Sequence, residues 1–133
     1  MANELKLAAA AREIARKLVD LPSDSLHPFG EGFVFKGDDK APCCVIGHVI
    51  HAAGMSELVH TNAERLMDGR VAYRSSNEAI TDVVGAELPD SVSQAVGAVV
   101  WANDHETRAR AVEEPLYGLA NALEETAAPE KET

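Results

Sequence analysis

Basic residues are scarce. Twelve Lys and Arg stand against 22 Asp and Glu, for a net charge of −10 over 133 residues. That balance excludes an ordinary nucleic-acid binder, which needs a basic face to meet phosphates. Aromatic residues are few as well, at 5% of the chain. There are two cysteines, Cys43 and Cys44, adjacent in sequence. Neighbouring cysteines rarely close a disulfide, because the ring they form is strained. No second pair is present to build a disulfide framework or a zinc knuckle, so a reducing cytoplasm is the expected location. No apolar run approaches the ~18 residues of a membrane span. The first residues lack the basic-then-apolar pattern of a signal peptide, so none is expected. Neither a glycine-rich phosphate loop, nor a Ser-His-Asp order, nor a His-Glu-x-x-His run occurs.

Alanine is what the chain has in quantity. It occurs 22 times, while Leu, Ile, Val and Phe together number 31. Such a chain is long enough for one domain with a real core. The alanines favour helix and let helices approach closely. Leu7, Ala11, Ile14, Ala15 and Leu18 recur at spacings of three and four, which predicts a helix over 3–20 with Asn3 as N-cap and a stop at Leu21-Pro22. Residues 21–42 carry Pro22, Pro28, Pro42, Gly30, Gly32 and Gly37 and read as a long loop. A brief strand over 33–36 interrupts it, ahead of a Gly37-Asp38-Asp39 turn. Phe29, Phe33 and Phe35 all fall here and are expected to pin the loop to the body.

A helix is expected over 43–53, started by Pro42 and ended by Gly54. Another is expected over 57–68, capped by Ser56, with Leu58, Val59, Ala63, Leu66 and Met67 inward and Gly69 at its end. Val71 to Arg74 alternate and are expected to pair with the Phe33 strand. Three capping-box patterns follow: Ser75…Glu78, Ser91…Gln94 and Asn103…Glu106. They predict helices near 76–88, 92–102 and 104–125, the last kinked at Pro115 and carrying Val112, Leu116, Leu119 and Leu123 on one stripe. The predicted fold is mainly α. It is a compact single-domain bundle of about five to six helices over 1–125, with room for one short two-stranded β-pairing and a frayed acidic tail over 126–133.

From Gly32 to the last helix the chain resembles a family of small proteins of unknown function from actinobacteria and their phages. The resemblance rests on Cys44-Val45-Ile46-Gly47, matching a helix that opens with Cys-x-x-Gly. It also rests on Trp101-Ala102-Asn103-Asp104 with Thr107 and Val112, similar to a Trp-Asn-Asp signature. Ala102 is an insertion in that signature, about 100° of helix. His48 stands where the family has a small residue. The family has no established activity, so the resemblance implies a helical fold and little about function.

Four residues are candidates for a site. On the 43–53 helix, Val45, Ile46, Val49, Ile50 and Ala53 share an apolar face. Cys44, His48 and His51 cluster within about 60° on the opposite one. Cys and His donors at that spacing could ligate zinc, with Glu57 and His60 a helix away. The plainer reading makes the histidines solvated and Cys44 a small apolar residue. Cys43 or Cys44 could also act as a nucleophile at a helix N-terminus, but no orienting third group accompanies His48. Trp101, the sole tryptophan, lies about 100–180° from the Val92/Val96/Val99 stripe. It is a candidate partner-binding residue, or a plug at the end of the core with Asn103 capping the next helix.

These features favour a small acidic protein-interaction module whose partner is another protein or a second copy of the chain, with no cofactor, nucleic acid or membrane and no clear sign of an enzyme. One alternative is a metal protein or small enzyme centred on Cys44, His48 and His51. Another is an acidic mimic of nucleic acid, using Glu113, Glu114, Glu124, Glu125, Glu130 and Glu132.

Overall fold

The computed structural model describes residues 3–22, 24–30, 34–36, 41–59 and 75–127. The fold is mainly α, a helical bundle. Its elements are α1 (Asn3–Val19), β1 (Phe35–Lys36), β2 (Ala41–Pro42), α2 (Val45–Ala52), α3 (Ser76–Val84), α4 (Asp90–His105) and α5 (Ala109–Ala127). A single 3₁₀ turn, Ser56–Leu58, follows α2. Among the described residues no helix is long and apolar enough to cross a membrane.

α1 packs chiefly on α5, and α5 in turn on α4. The alanines explain the first pairing. Ala8, Ala11 and Ala15 on α1 and Ala120 on α5 are fully buried in the same core as Leu7, Leu116 and Leu119, and their small side chains let the two helices approach closely. Arg12 reaches Glu124 at 2.6 Å and Asn121 at 2.6 Å, while the Val19 carbonyl accepts from Arg110. Those pairings run the two helices antiparallel. Asn3 does not cap α1 as expected. It lies within the helix, and its side chain donates to the Val83 carbonyl at 2.7 Å, tying α1 to the end of α3. α5 continues through Pro115 to a buried Ala127, two residues into the stretch expected to fray.

Several expected boundaries shift, each for a nonlocal reason. Pro42 does not start a helix. It sits in β2, opposite Phe35 in a two-stranded antiparallel ladder. The Cys43 amide extends this pairing to the Val34 carbonyl at 3.0 Å, so helical conformation starts only at Val45. Among the described residues the strand at 35–36 pairs with the nearby 41–42 segment. Phe33, the 37–39 turn, Tyr73 and the 70–74 strand lie outside the described residues, as does the predicted helix beyond Val59. Ser56 and Leu58 belong to the 3₁₀ turn.

Of the three capping boxes, one forms. Ser75 Oγ accepts from the Glu78 amide at 3.3 Å, and the Ser75 amide donates back to Glu78 Oε1 at 3.1 Å. Ser91 lies inside the first turn of α4, whose N-cap position is Pro89. Asn103 lies near the end of α4 and caps nothing in α5. Gly54 follows the α2 C-cap at φ +75°, and Gly85 closes α3 at φ +81°, the left-handed conformation that favours glycine.

The loop before β1 is held mainly by backbone. The His27 amide donates to the Thr107 carbonyl at 3.0 Å, and the Ala109 amide donates to Ser25 at 2.9 Å. The Gly30 amide donates to Cys43 at 2.8 Å. Phe35 is fully buried, and Phe29 is half-buried against the core.

Gly47 marks the tightest crossing. A Cβ there would fall 1.9 Å from the Val34 carbonyl oxygen, so only glycine lets α2 pass under the β1 segment. Gly118, on the exposed side of α5, would meet nothing among the described residues. Gly47→Ala is therefore expected to lower stability by about 3 kcal/mol or more, because backbone must move. Gly118→Ala is expected to raise it by about 0.5–1 kcal/mol, from helix propensity alone. Urea titrations of the two variants check both signs.

Candidate functional site

One side chain gathers the segments around the site. Asn103 is 1% exposed, the one fully buried polar residue among those described. Its Oδ1 accepts from the Val45 amide at 3.0 Å, the first amide of α2, which no carbonyl within that helix can meet. Its Nδ2 donates to the Gly30 carbonyl at 2.8 Å and to Asp104 Oδ1 at 2.9 Å. Asn103 thus acts as a cap after all, but for a helix 58 residues earlier. A Cβ at Gly30 would fall 2.5 Å from Cys43 Sγ, so a side chain there would force the buried thiol to move.

Next to this junction a cleft of about 460 Å³ opens between the start of α3 and the second half of α4. Val34, Cys44 and Val96 contribute to its wall. Ser75, Ser76 and Asn77 line the α3 side, and Gly97, Val100, Trp101, Asp104 and His105 line the α4 side. Trp101 is 56% exposed, so it does not plug the core. Its indole stacks on the His105 imidazole, with centroids 4.8 Å apart and planes 16° from parallel. His105 Nδ1 lies 3.0 Å from the Trp101 carbonyl, which fixes the ring on the turn below.

The structure separates the Cys44, His48 and His51 candidates. Cys44 is buried at the N-cap position of α2 and makes no capping hydrogen bond. Burial pushes its thiol pKa up. The Gly47 and Ile46 amides and the Ser76 hydroxyl offset this only in part, so the thiolate is disfavoured. His48 is half-buried and packs on Phe29 at 5.0 Å, while His51 is exposed. Phe29 also stacks on His27, whose Nδ1 accepts from the Phe29 amide and whose Nε2 donates to the Glu106 carbonyl at 2.8 Å. Glu57 is exposed on the 3₁₀ turn, and His60 lies outside the described residues. Among the described residues no three His, Cys, Asp or Glu side chains converge to hold a metal ion. Cys44 joins Trp101 at the cleft, and the two histidines do not.

Sequence reasoning missed Ser76, Asn77 and Gly97 as wall residues and Asn103 as the junction. The cleft depends on α3 meeting α4, a long-range contact that no local pattern encodes. Asn103 did carry a signal: a polar residue one turn after the buried Val99 falls on the inward side of α4.

Comparison with family models, with curated proteins and with solved structures finds no match. The site therefore rests on its own geometry.

Replacing Asn103 with Ala strands the Val45 amide and the Gly30 carbonyl together. The expected cost is about 2–4 kcal/mol, read as a lower urea midpoint. His48 supplies a pH test. Burial, aided by the neighbouring His51 charge, holds its pKa below the ordinary value, against the pull of the Cys43 carbonyl. The unfolded chain then binds the proton more readily, so this contribution to stability is full above about pH 6.5 and falls as pH drops. The urea midpoint is expected to fall between pH 7.5 and 5.5, and His48→Gln to flatten that slope.

Proposed function

We propose that this chain is a protein-interaction module and that the Trp101 side of the cleft is the surface a partner covers. The observation that carries the reading is the exposure of the only tryptophan. On the same helix Val92, Val96 and Val99 are fully buried, so α4 has a complete inward stripe and does not need Trp101 for its core. A large indole held open by a stacked histidine, at the mouth of a cleft, has the form of an interface anchor. The further reading is of an accessory factor acting on a host protein. A cytoplasmic location fits the free, buried cysteines.

The test compares the tagged chain with Trp101→Ala in capture from a bacterial lysate, with sedimentation velocity to detect self-association. Trp101→Ala is expected to abolish capture or self-association while shifting the urea midpoint by less than about 0.5 kcal/mol equivalent, as for a surface change. Unchanged capture with unchanged stability would remove Trp101 from the interface. A large stability loss would return it to the core.

A further inference from the structure

The cleft has a definite chemical character. Gly97, Val100, Trp101 and Asp104 lie three, four and seven residues apart on α4 and so form one stripe along its wall. Gly97 is exposed in the middle of this helix, and a Cβ there would meet nothing among the described residues. Glycine weakens a helix interior, and no internal contact asks for it here. Its bareness opens a flat track along α4, leading to the indole.

Charge is one-sided. Among the described lining residues Asp104 is the carboxylate, and none is a lysine or arginine. One of its oxygens takes the Asn103 amide at 2.9 Å, which orients the group and leaves acceptor capacity. The positive end of α3 is offset by Glu78, whose carboxylate is held on the Ser75 amide. Among the described residues the titratable groups on the wall are Asp104, His105 and the Cys44 thiol. The chain as a whole carries a charge of −10, which draws basic segments towards it.

We infer that the cleft receives an arginine side chain from a basic segment of a partner protein. The aliphatic stem lies over Gly97 and Val100, and the guanidinium meets the Trp101 indole and the Asp104 carboxylate. A planar cation suits both neighbours, because it stacks on an aromatic face and pairs with a carboxylate at once. This inference rests on the protein-interaction reading above and names the partner's chemistry.

Trp101 is the sole tryptophan, so its emission reports the site directly. The purified chain is titrated with blocked hexapeptides rich in arginine, in lysine, or in citrulline, the uncharged near-isostere of arginine. The arginine peptide is expected to change the emission saturably, the lysine peptide to bind several-fold more weakly, and the citrulline peptide at least tenfold more weakly. Asp104→Asn, which keeps an acceptor for Asn103, is expected to weaken arginine binding at least fivefold. Glu125→Gln, at the far end of α5, is expected to leave it unchanged. Gly97→Leu builds a side chain across the track, from a Cβ that would meet nothing among the described residues, and is expected to abolish binding with the urea midpoint maintained. Equal binding of citrulline, no effect of Asp104→Asn, or an equal effect of Glu125→Gln would overturn the site. Equal binding of lysine would overturn the assignment to arginine. Capture that depends on Trp101 without arginine binding would leave the interaction module standing and remove only this inference.

Discussion

The Asn103 side chain is the contact on which the site depends. An amide group buried this deeply is costly unless each polar atom is met, and here both ends are used. The oxygen completes the first turn of α2, and the nitrogen holds the loop at Gly30. Three segments from distant parts of the sequence therefore share one small group. Asp104 is oriented by the same nitrogen, so the carboxylate of the cleft and the start of α2 are set by one residue. Gly30 and Gly47 suit this junction by their lack of a side chain. One clears Cys43 Sγ, and the other clears the Val34 carbonyl.

Helices dominated by their own periodicity were legible in the sequence. α1, α3 and the Val112, Leu116, Leu119 and Leu123 stripe of α5 fall where spacing places them, because an amphipathic face needs no knowledge of what covers it. Segments whose conformation depends on a distant partner were not. Pro42 has the local chemistry of a helix start, but the Phe35 strand claims it. Asn103 has the local chemistry of an N-cap for the helix that follows, and instead serves one that precedes it. A capping box is a pattern of two residues and an interval; at Asn103 long-range bonds claim the side chain, and at Ser91 the helix has already begun from Pro89.

The site was legible only in fragments. The angular position of Trp101 away from the valine stripe allows either a partner contact or a plug at the end of the core, and only its exposure in the fold removes the plug. Cys44, His48 and His51 do share a side of α2, yet that side runs from buried to open along eight residues. Covered by Ser76 at one end and reaching solvent at the other, the three donors meet different surroundings and cannot act together. Helical spacing fixes direction around an axis, but not how far the neighbouring elements extend along it.

The pairing of α1 with α5 has a consequence for synthesis. α1 leaves the ribosome well before α5, its principal partner, has been made. Until then the apolar face of α1 that carries Leu7, Ala11 and Ile14 lacks its main cover, having only α2 and α3 to pack on, and the α2 to α4 region must hold together without the seam that later closes the bundle. A chain built this way completes its fold late, through contacts of high sequence separation. Ribosomal pausing or premature termination before α5 would therefore leave a sticky amphipathic helix for chaperones or proteases to handle.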